Sequence, residues 1–253
     1  MTEAVGLWPM MMTGAGGALI LSALLWGVGS VGGLTGGAAV ALQAAGWLAG
    51  LVAWSAVTRI GVAGNVVGAK AAGLGPLGFQ LGRPELRLAG AFLLLLLFFA
   101  IILSLLGMTA LAVFGAAGLD VEALKLRDWA AVGPAWKLSI LAVIGVVLIG
   151  APVVLAVRIC LFAQATIARE RMTSLGVTGL TNGAMAPLFA GLAVSWLPGL
   201  GWLAVCVTLG LDGRLATAGW LVLQTIWQAP ISAGFLGAAW RRLERPDEGL
   251  APL

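Results

Sequence analysis

An all-α, polytopic transmembrane helical bundle of about six spans is the fold the sequence predicts, and three observations carry that expectation. The chain is 61% hydrophobic and only 9% charged, with a mean hydropathy of +1.07. A soluble fold carries about a quarter of its residues charged to dress its surface. Residues 4 to 58 contain no Asp, Glu, Lys, Arg or His. As one helix that stretch would be roughly 80 Å long, more than twice the roughly 30 Å hydrocarbon core, so it must turn back. Further stretches without an Asp, Glu, Lys or Arg, at 88 to 119, 138 to 157, 172 to 211 and 215 to 240, each hold the roughly 20 residues that a span needs. No polar segment is long enough for a second, soluble domain, so residues 1–253 read as a single integral membrane domain.

Taken in order, the first run divides into spans at about 10–31 and 36–58. GVGSVGGLTGG, Gly27 to Gly37, is the expected turn, because glycine carries tight-turn dihedrals without a Cβ penalty. No basic residue precedes the first apolar run, so 10–31 is expected to be kept as a span, not removed as a signal. The segment Arg59 to Arg87 is too polar to span and too apolar to be free. It is expected to lie in the membrane interface, with Lys70, Arg83 and Arg87 meeting anionic head groups. The next spans fall at about 89–112 and 137–157, and RICLFAQATIARERM is expected to continue as a helix along the membrane surface. TSLGVTGLTNGA reads as a loop before Pro187 opens the span at 186–209. The sixth span, 215–240, ends through Arg241 and Arg242 in a tail that frays at Pro246.

Six spans bring both termini to one side and sort the basic residues. Arg59, Lys70, Arg83, Arg87, Arg158, Arg169, Arg171, Arg241, Arg242 and Arg245 share the side of the termini, against Lys125, Arg127, Lys137 and Arg214 on the other. Basic residues concentrate on the cytoplasmic face, so N and C termini are expected there.

The inventory of reactive groups is short. There is no His, and no Asp or Glu falls near an expected bilayer centre, so carboxylate and imidazole proton relays have no members. Cys160 and Cys206 are expected at opposite ends of the bilayer, which rules out a bridge between them and leaves no Cys and His cluster for zinc. Ser22, Ser104, Ser139, Ser195 and Ser232 lie in or near spans, and Lys137 beside Ser139 is the one lysine placed to act as a base. Lys137 with Trp136 reads better as an interface marker, as do Trp8, Trp47, Trp54, Trp129, Trp202 and Trp240 near span ends. No catalytic residue, cofactor or metal is expected.

Small residues recur at helical spacing: Ala41, Ala45, Ala49 and Ala53, with Gly46 and Gly50, and again Ala229, Ala233 and Gly237. Such stripes let helix backbones approach, either between spans or against another chain. Leu at Gly46 and Gly50, or at Ala233 and Gly237, is expected to eject a partner while leaving insertion intact. Gln43, Gln224 and Gln228 are the amides within spans. They could line a cavity between spans two, five and six, although packing hydrogen bonds are the plainer reading. Pro198 and Pro230 each remove a backbone donor and should bend spans five and six.

Two stretches carry a family resemblance. GFQLGRPELRLAGAFLLLLL, Gly78 to Leu97, and the stretch from Arg158 through ATIARERM to GLTNGAMAPLFAG resemble an uncharacterised alphaproteobacterial family of six-span inner-membrane proteins. That family is similar in layout to the membrane domain attached to some glycerophosphoryl diester phosphodiesterases. Its interfacial L-G-x-x-E-L-R is matched by Leu81, Gly82, Glu85, Leu86 and Arg87. A second motif resembling S-W-x-L-T-x-G is met by Leu180, Thr181 and Gly183, but Val177 and Thr178 replace its Ser and Trp. Ala184, Met185 and Ala186 replace a basic and aromatic triplet. The resemblance implies a fold and a bacterial inner membrane but no reaction, and the departures imply a cytoplasmic face turned toward something apolar.

Two functions of different class follow. One is a non-enzymatic integral subunit or scaffold that packs against lipid and other membrane subunits or a second copy of itself, with no nucleic-acid partner. The other is a small permease or lipid-handling protein. A substrate path needs convergent polar groups at mid-depth, which the scattered amides do not supply.

Overall fold

With few charges to interrupt them, the apolar runs fold as long helices. The computed structural model describes residues 1–32, 35–118, 120–132 and 134–244. It is 83% helical, and no strand occurs among the described residues. The elements are α1 (Thr2–Val31), α2 (Gly37–Ala63), α3 (Val66–Ala71), α4 (Arg83–Ala116), α5 (Val121–Lys125) and α6 (Trp129–Val132). Then come α7 (Ala135–Ile159), α8 (Phe162–Ala168), α9 (Met185–Leu209), α10 (Gly213–Leu223) and α11 (Ala229–Glu244). Five helical segments are long and apolar enough to cross a membrane: Thr2–Ser30, Gly37–Ala63, Pro76–Ala116, Ala135–Ala168 and Met185–Leu209. The sixth expected span, 215–240, is divided among α10, a π-helical turn at Gln224–Gln228, and α11.

The chain divides into two units, residues 1–92 with 159–253, and residues 93–158. In the first unit α1, α2 and α11 pack through small residues. A core of Met11, Ala15, Ala18, Ala53, Ala56, Val57, Ile60 and Ala233 is buried between them. A Cβ added to Gly61 would lie 2.6 Å from the Ala233 carbonyl oxygen, and one added to Gly237 would lie 2.3 Å from the Gly61 carbonyl carbon. The α2 and α11 backbones therefore touch. The α1–α2 turn is shorter than the glycine run suggests, since α1 continues to Val31 and the left-handed Gly36 (φ +69°) precedes α2. Gly29 is helical and admits Gln43, whose Cγ would lie 3.2 Å from an added Cβ.

Two segments expected at the membrane surface pack against the first unit. In α8, Ala163, Gln164, Ala165, Thr166 and Ile167 are buried, with Ala163 and Ile167 beside Leu51 and Trp54 of α2. The segment after α2 also folds back on the unit. Leu74 is buried, and a Cβ on Gly78 would meet Ala15 at 2.8 Å, while Val67 and Leu81 stay exposed. Pro198 sits inside an uninterrupted α9. Pro230, by contrast, follows the π turn, in which the Ala229 N–H donates to the Gln224 carbonyl. Proline cannot supply the N–H that the Ile226 carbonyl would otherwise accept. The Trp8 indole N–H donates to that carbonyl instead, at 2.6 Å.

In the second unit, residues 93–116 of α4 and 135–158 of α7 frame an apolar groove of about 460 Å³, lined by Leu106, Val113, Val143 and Val147 among others. Ala123 and Val132 form a small buried cluster with Phe114, Ala117 and Leu138. Asp120 accepts from the Glu122 and Ala123 N–H groups to start α5.

Candidate functional site

The polar chemistry of the first unit gathers where α2 ends. The last turns of α2 carry Ser55, Thr58 and Arg59, all buried. Arg59 is only 4% exposed and Glu85, in the first turn of α4, 2%; their side chains pair at 2.5 Å. The Ser55 hydroxyl donates to the same carboxylate oxygen at 2.8 Å, and the Arg59 guanidinium donates to the Ala72 carbonyl. A charge buried in apolar surroundings is tolerated only when paired and hydrogen-bonded. The pair thus ties the start of α4 to the end of α2.

A second group of charges comes from α11. The last carbonyls of a helix have no intrahelical donor, and Arg241 donates to one of them, that of Gly61 in the last turn of α2. Arg241 and Arg242 also reach the Glu3 carboxylate, at 3.7 and 3.6 Å. Burial lowers the Arg241 guanidinium from its ordinary pKa, with Glu3 opposing the shift and Arg242 adding to it. Arg169, just after α8, pairs with Glu244 at 3.1 Å and lies 5.1 Å from the centre of the buried Trp240 ring. Glu170 takes a left-handed backbone (φ +48°) as the chain leaves α8.

Between these groups lies a cavity of about 530 Å³, walled by Arg59, Arg169, Arg241, Glu170, Glu244 and Trp240 and floored by Val62, Ala63 and Ile167. It offers planar donors, carboxylates and an aromatic wall within one enclosure. The Arg59 Nε is buried and has no acceptor among the described residues.

The residues singled out in the sequence are placed as follows. Gly46 and Gly50 face α1, where an added Cβ would meet Trp26 at 2.7 Å and Ser22 at 3.1 Å, respectively. Ala229 and Ala233 join the core with α1 and α2, and Gly237 meets Gly61. These five residues pack against other helices of the same chain. Lys70 and Arg83 are exposed and Arg87 is half-buried; none of the three lines the cavity. Gln43, Gln224 and Gln228 do not line it either. Gln43 packs on Gly29, and the Gln228 Oε1 lies 3.5 Å from where a Gly199 Cβ would stand. Beside the α9–α11 contact, the Ser232 hydroxyl donates to that of Ser195 at 3.1 Å. Lys137 and Ser139 are engaged apart, Lys137 with the Gly118 carbonyl and Ser139 with that of Ala135. Trp8 and Trp202 give their indole N–H groups to backbone carbonyls, and Trp240 is buried.

Sequence reasoning placed Arg59 in the interface and gave Glu85 no role beyond the resemblance. A signal was present: Glu85 is the sole acid between residues 4 and 119, and Arg59 ends a run of 55 residues without a charge. Isolated opposite charges in apolar sequence seek each other. Among the described residues no three His, Cys, Asp or Glu side chains converge as a metal site would require. No protein-family model, curated protein or solved structure matches the chain.

Proposed function

We propose that the chain is a six-span protein of the bacterial inner membrane, with both termini cytoplasmic, acting as a non-enzymatic integral subunit. The resemblance to alphaproteobacterial six-span proteins is part of this proposal. The ten-to-four distribution of basic residues supports the orientation. The ion pairs of Glu3 with Arg241 and Arg242 support an even number of crossings, since they join the first turn of α1 to the last turn of α11.

The observation that carries the subunit reading is the contrast in burial. In the most apolar windows of Pro76–Ala116 and Ala135–Ala168 only 11% and 6% of residues are buried, against 33% in Thr2–Ser30 and Gly37–Ala63. Leu111, Val146 and Ile149 each expose about 70% of their surface or more. Lipid can cover such faces, and so can the helices of another membrane protein. A photo-crosslinking residue at Leu111 or Val146 should give a discrete protein adduct in native membranes, whereas the same residue at the buried Ala56 gives none. Adducts to lipid alone from both exposed positions would remove the subunit reading. The arginine-walled cavity favours the second reading, lipid handling, at a different place in the chain.

A further inference from the structure

The cavity at the end of α2 has a charge pattern that selects among ligands. Three guanidiniums line it, those of Arg59, Arg169 and Arg241. Each is paired with one carboxylate, of Glu85, Glu244 and Glu3 in turn, and Glu170 lines the cavity as a fourth carboxylate. The site therefore carries one carboxylate in excess, and an anionic ligand would add to that charge. A zwitterion would not. Arginine N–H groups fit phosphate oxygens, and the buried Arg59 Nε still lacks an acceptor. At the other sign, Glu170 is exposed and makes no ion pair among the described residues. The volume of about 530 Å³ falls within the roughly 300–1,000 Å³ of small-ligand sites.

Depth identifies the source. Arg59 stands in the last turns of the apolar segment Gly37–Ala63, and Ile167 and Ala168 end the segment Ala135–Ala168. The cavity thus opens where the apolar helices stop, the level at which lipid head groups lie. We propose that it binds the zwitterionic head group of an aminophospholipid, with the phosphate on the guanidiniums and the ammonium on Glu170. This rests on the multi-pass membrane reading, which retention of the chain in alkali-washed membranes tests separately. It does not depend on the subunit role.

The test uses the full chain, delipidated in a neutral detergent, and follows its thermal unfolding as lipid is added. Phosphatidylethanolamine should raise the midpoint by about 5 °C at saturation. Phosphatidylglycerol at the same mole fraction should give less than about half that shift. Glu170→Gln, at an exposed position, should remove the preference for phosphatidylethanolamine and leave the lipid-free midpoint unchanged. Arg169→Gln should weaken both lipids. Equal shifts from the two lipids, or a Glu170→Gln chain that keeps the preference, would overturn the proposal. Soluble phosphoethanolamine matching the lipid's effect would also overturn it, by assigning the site to a free solute.

Discussion

The α1, α2 and α11 group and the α4–α7 pair are both built from apolar helices, yet they treat their surfaces in opposite ways. In the first, Gly46, Gly61, Ala233 and Gly237 bring backbones into contact and Ala15, Ala56 and Ala233 are fully buried. In the second, Leu93, Leu97, Met108, Val146 and Ile149 stand largely exposed. Hydropathy does not separate them in the expected direction, because the exposed segments are the more apolar, at 2.9 and 3.0 against 1.6 and 1.5 for α1 and α2. In water the greasier helix goes inside. In lipid that force between helices vanishes, and close packing of small residues decides which helices associate.

The largest effect expected is at the buried ion pair that adds a polar tie to the packed group. Glu85→Gln leaves Arg59 charged and unpaired and should destabilise the chain by about 3–5 kcal/mol, whereas Arg59→Met with Glu85→Leu should recover most of that loss. Denaturant titration in detergent measures both. A double variant no better than the single one would show that the pair itself, and not its desolvation, holds the region together.

Next comes the backbone contact. Gly61→Leu drives a side chain into the Ala233 carbonyl and should cost about 1–3 kcal/mol or more by overpacking. Gly150→Leu on α7, where an added Cβ meets nothing within 4 Å, should stay within about 0.5 kcal/mol. Equal costs at the two sites would erase the distinction between the regions. The smallest effect is expected from Trp8→Phe, which removes the donor to the Ile226 carbonyl and should cost about 1 kcal/mol. Measured beside Trp136→Phe on the exposed side, it sharpens the difference between a tryptophan that holds the fold and one that does not.

Much of this fold was legible because its signals are local. Charge-free length marked the long helices, with ends within a few residues for 137–157 and 186–209, observed as Ala135–Ile159 and Met185–Leu209. Four-residue spacing found Gly46, Gly50, Ala233 and Gly237. What the spacing could not show was the partner, since a stripe of small residues looks the same whether it meets its own chain or another. The Gly27–Gly37 run was misleading for a related reason: glycine permits both turning and close packing, and Gly29 is used for the second. The cavity was illegible because its walls come from α2, the end of α8 and α11. Their charges, scattered through the sequence, looked like independent interfacial residues. The burial of α8 was missed because a seven-residue helix with three Ala carries no strong pattern to say which neighbour covers it.

The π turn at Gln224–Gln228 has a consequence for how this chain can change over time. An α-helix advances about 100° per residue, and a π turn accommodates one residue more than the regular winding. The two halves of the last helical stretch are therefore out of phase by about one position in sequence. A single-residue deletion within the turn would remove the extra residue together with the wider winding that absorbs it, and so keep Ala233 and Gly237 on Gly61. A deletion in the regular helix between Pro230 and Ala233 would instead turn both about 100° away. The stretch can thus change length at the π turn but not beside it.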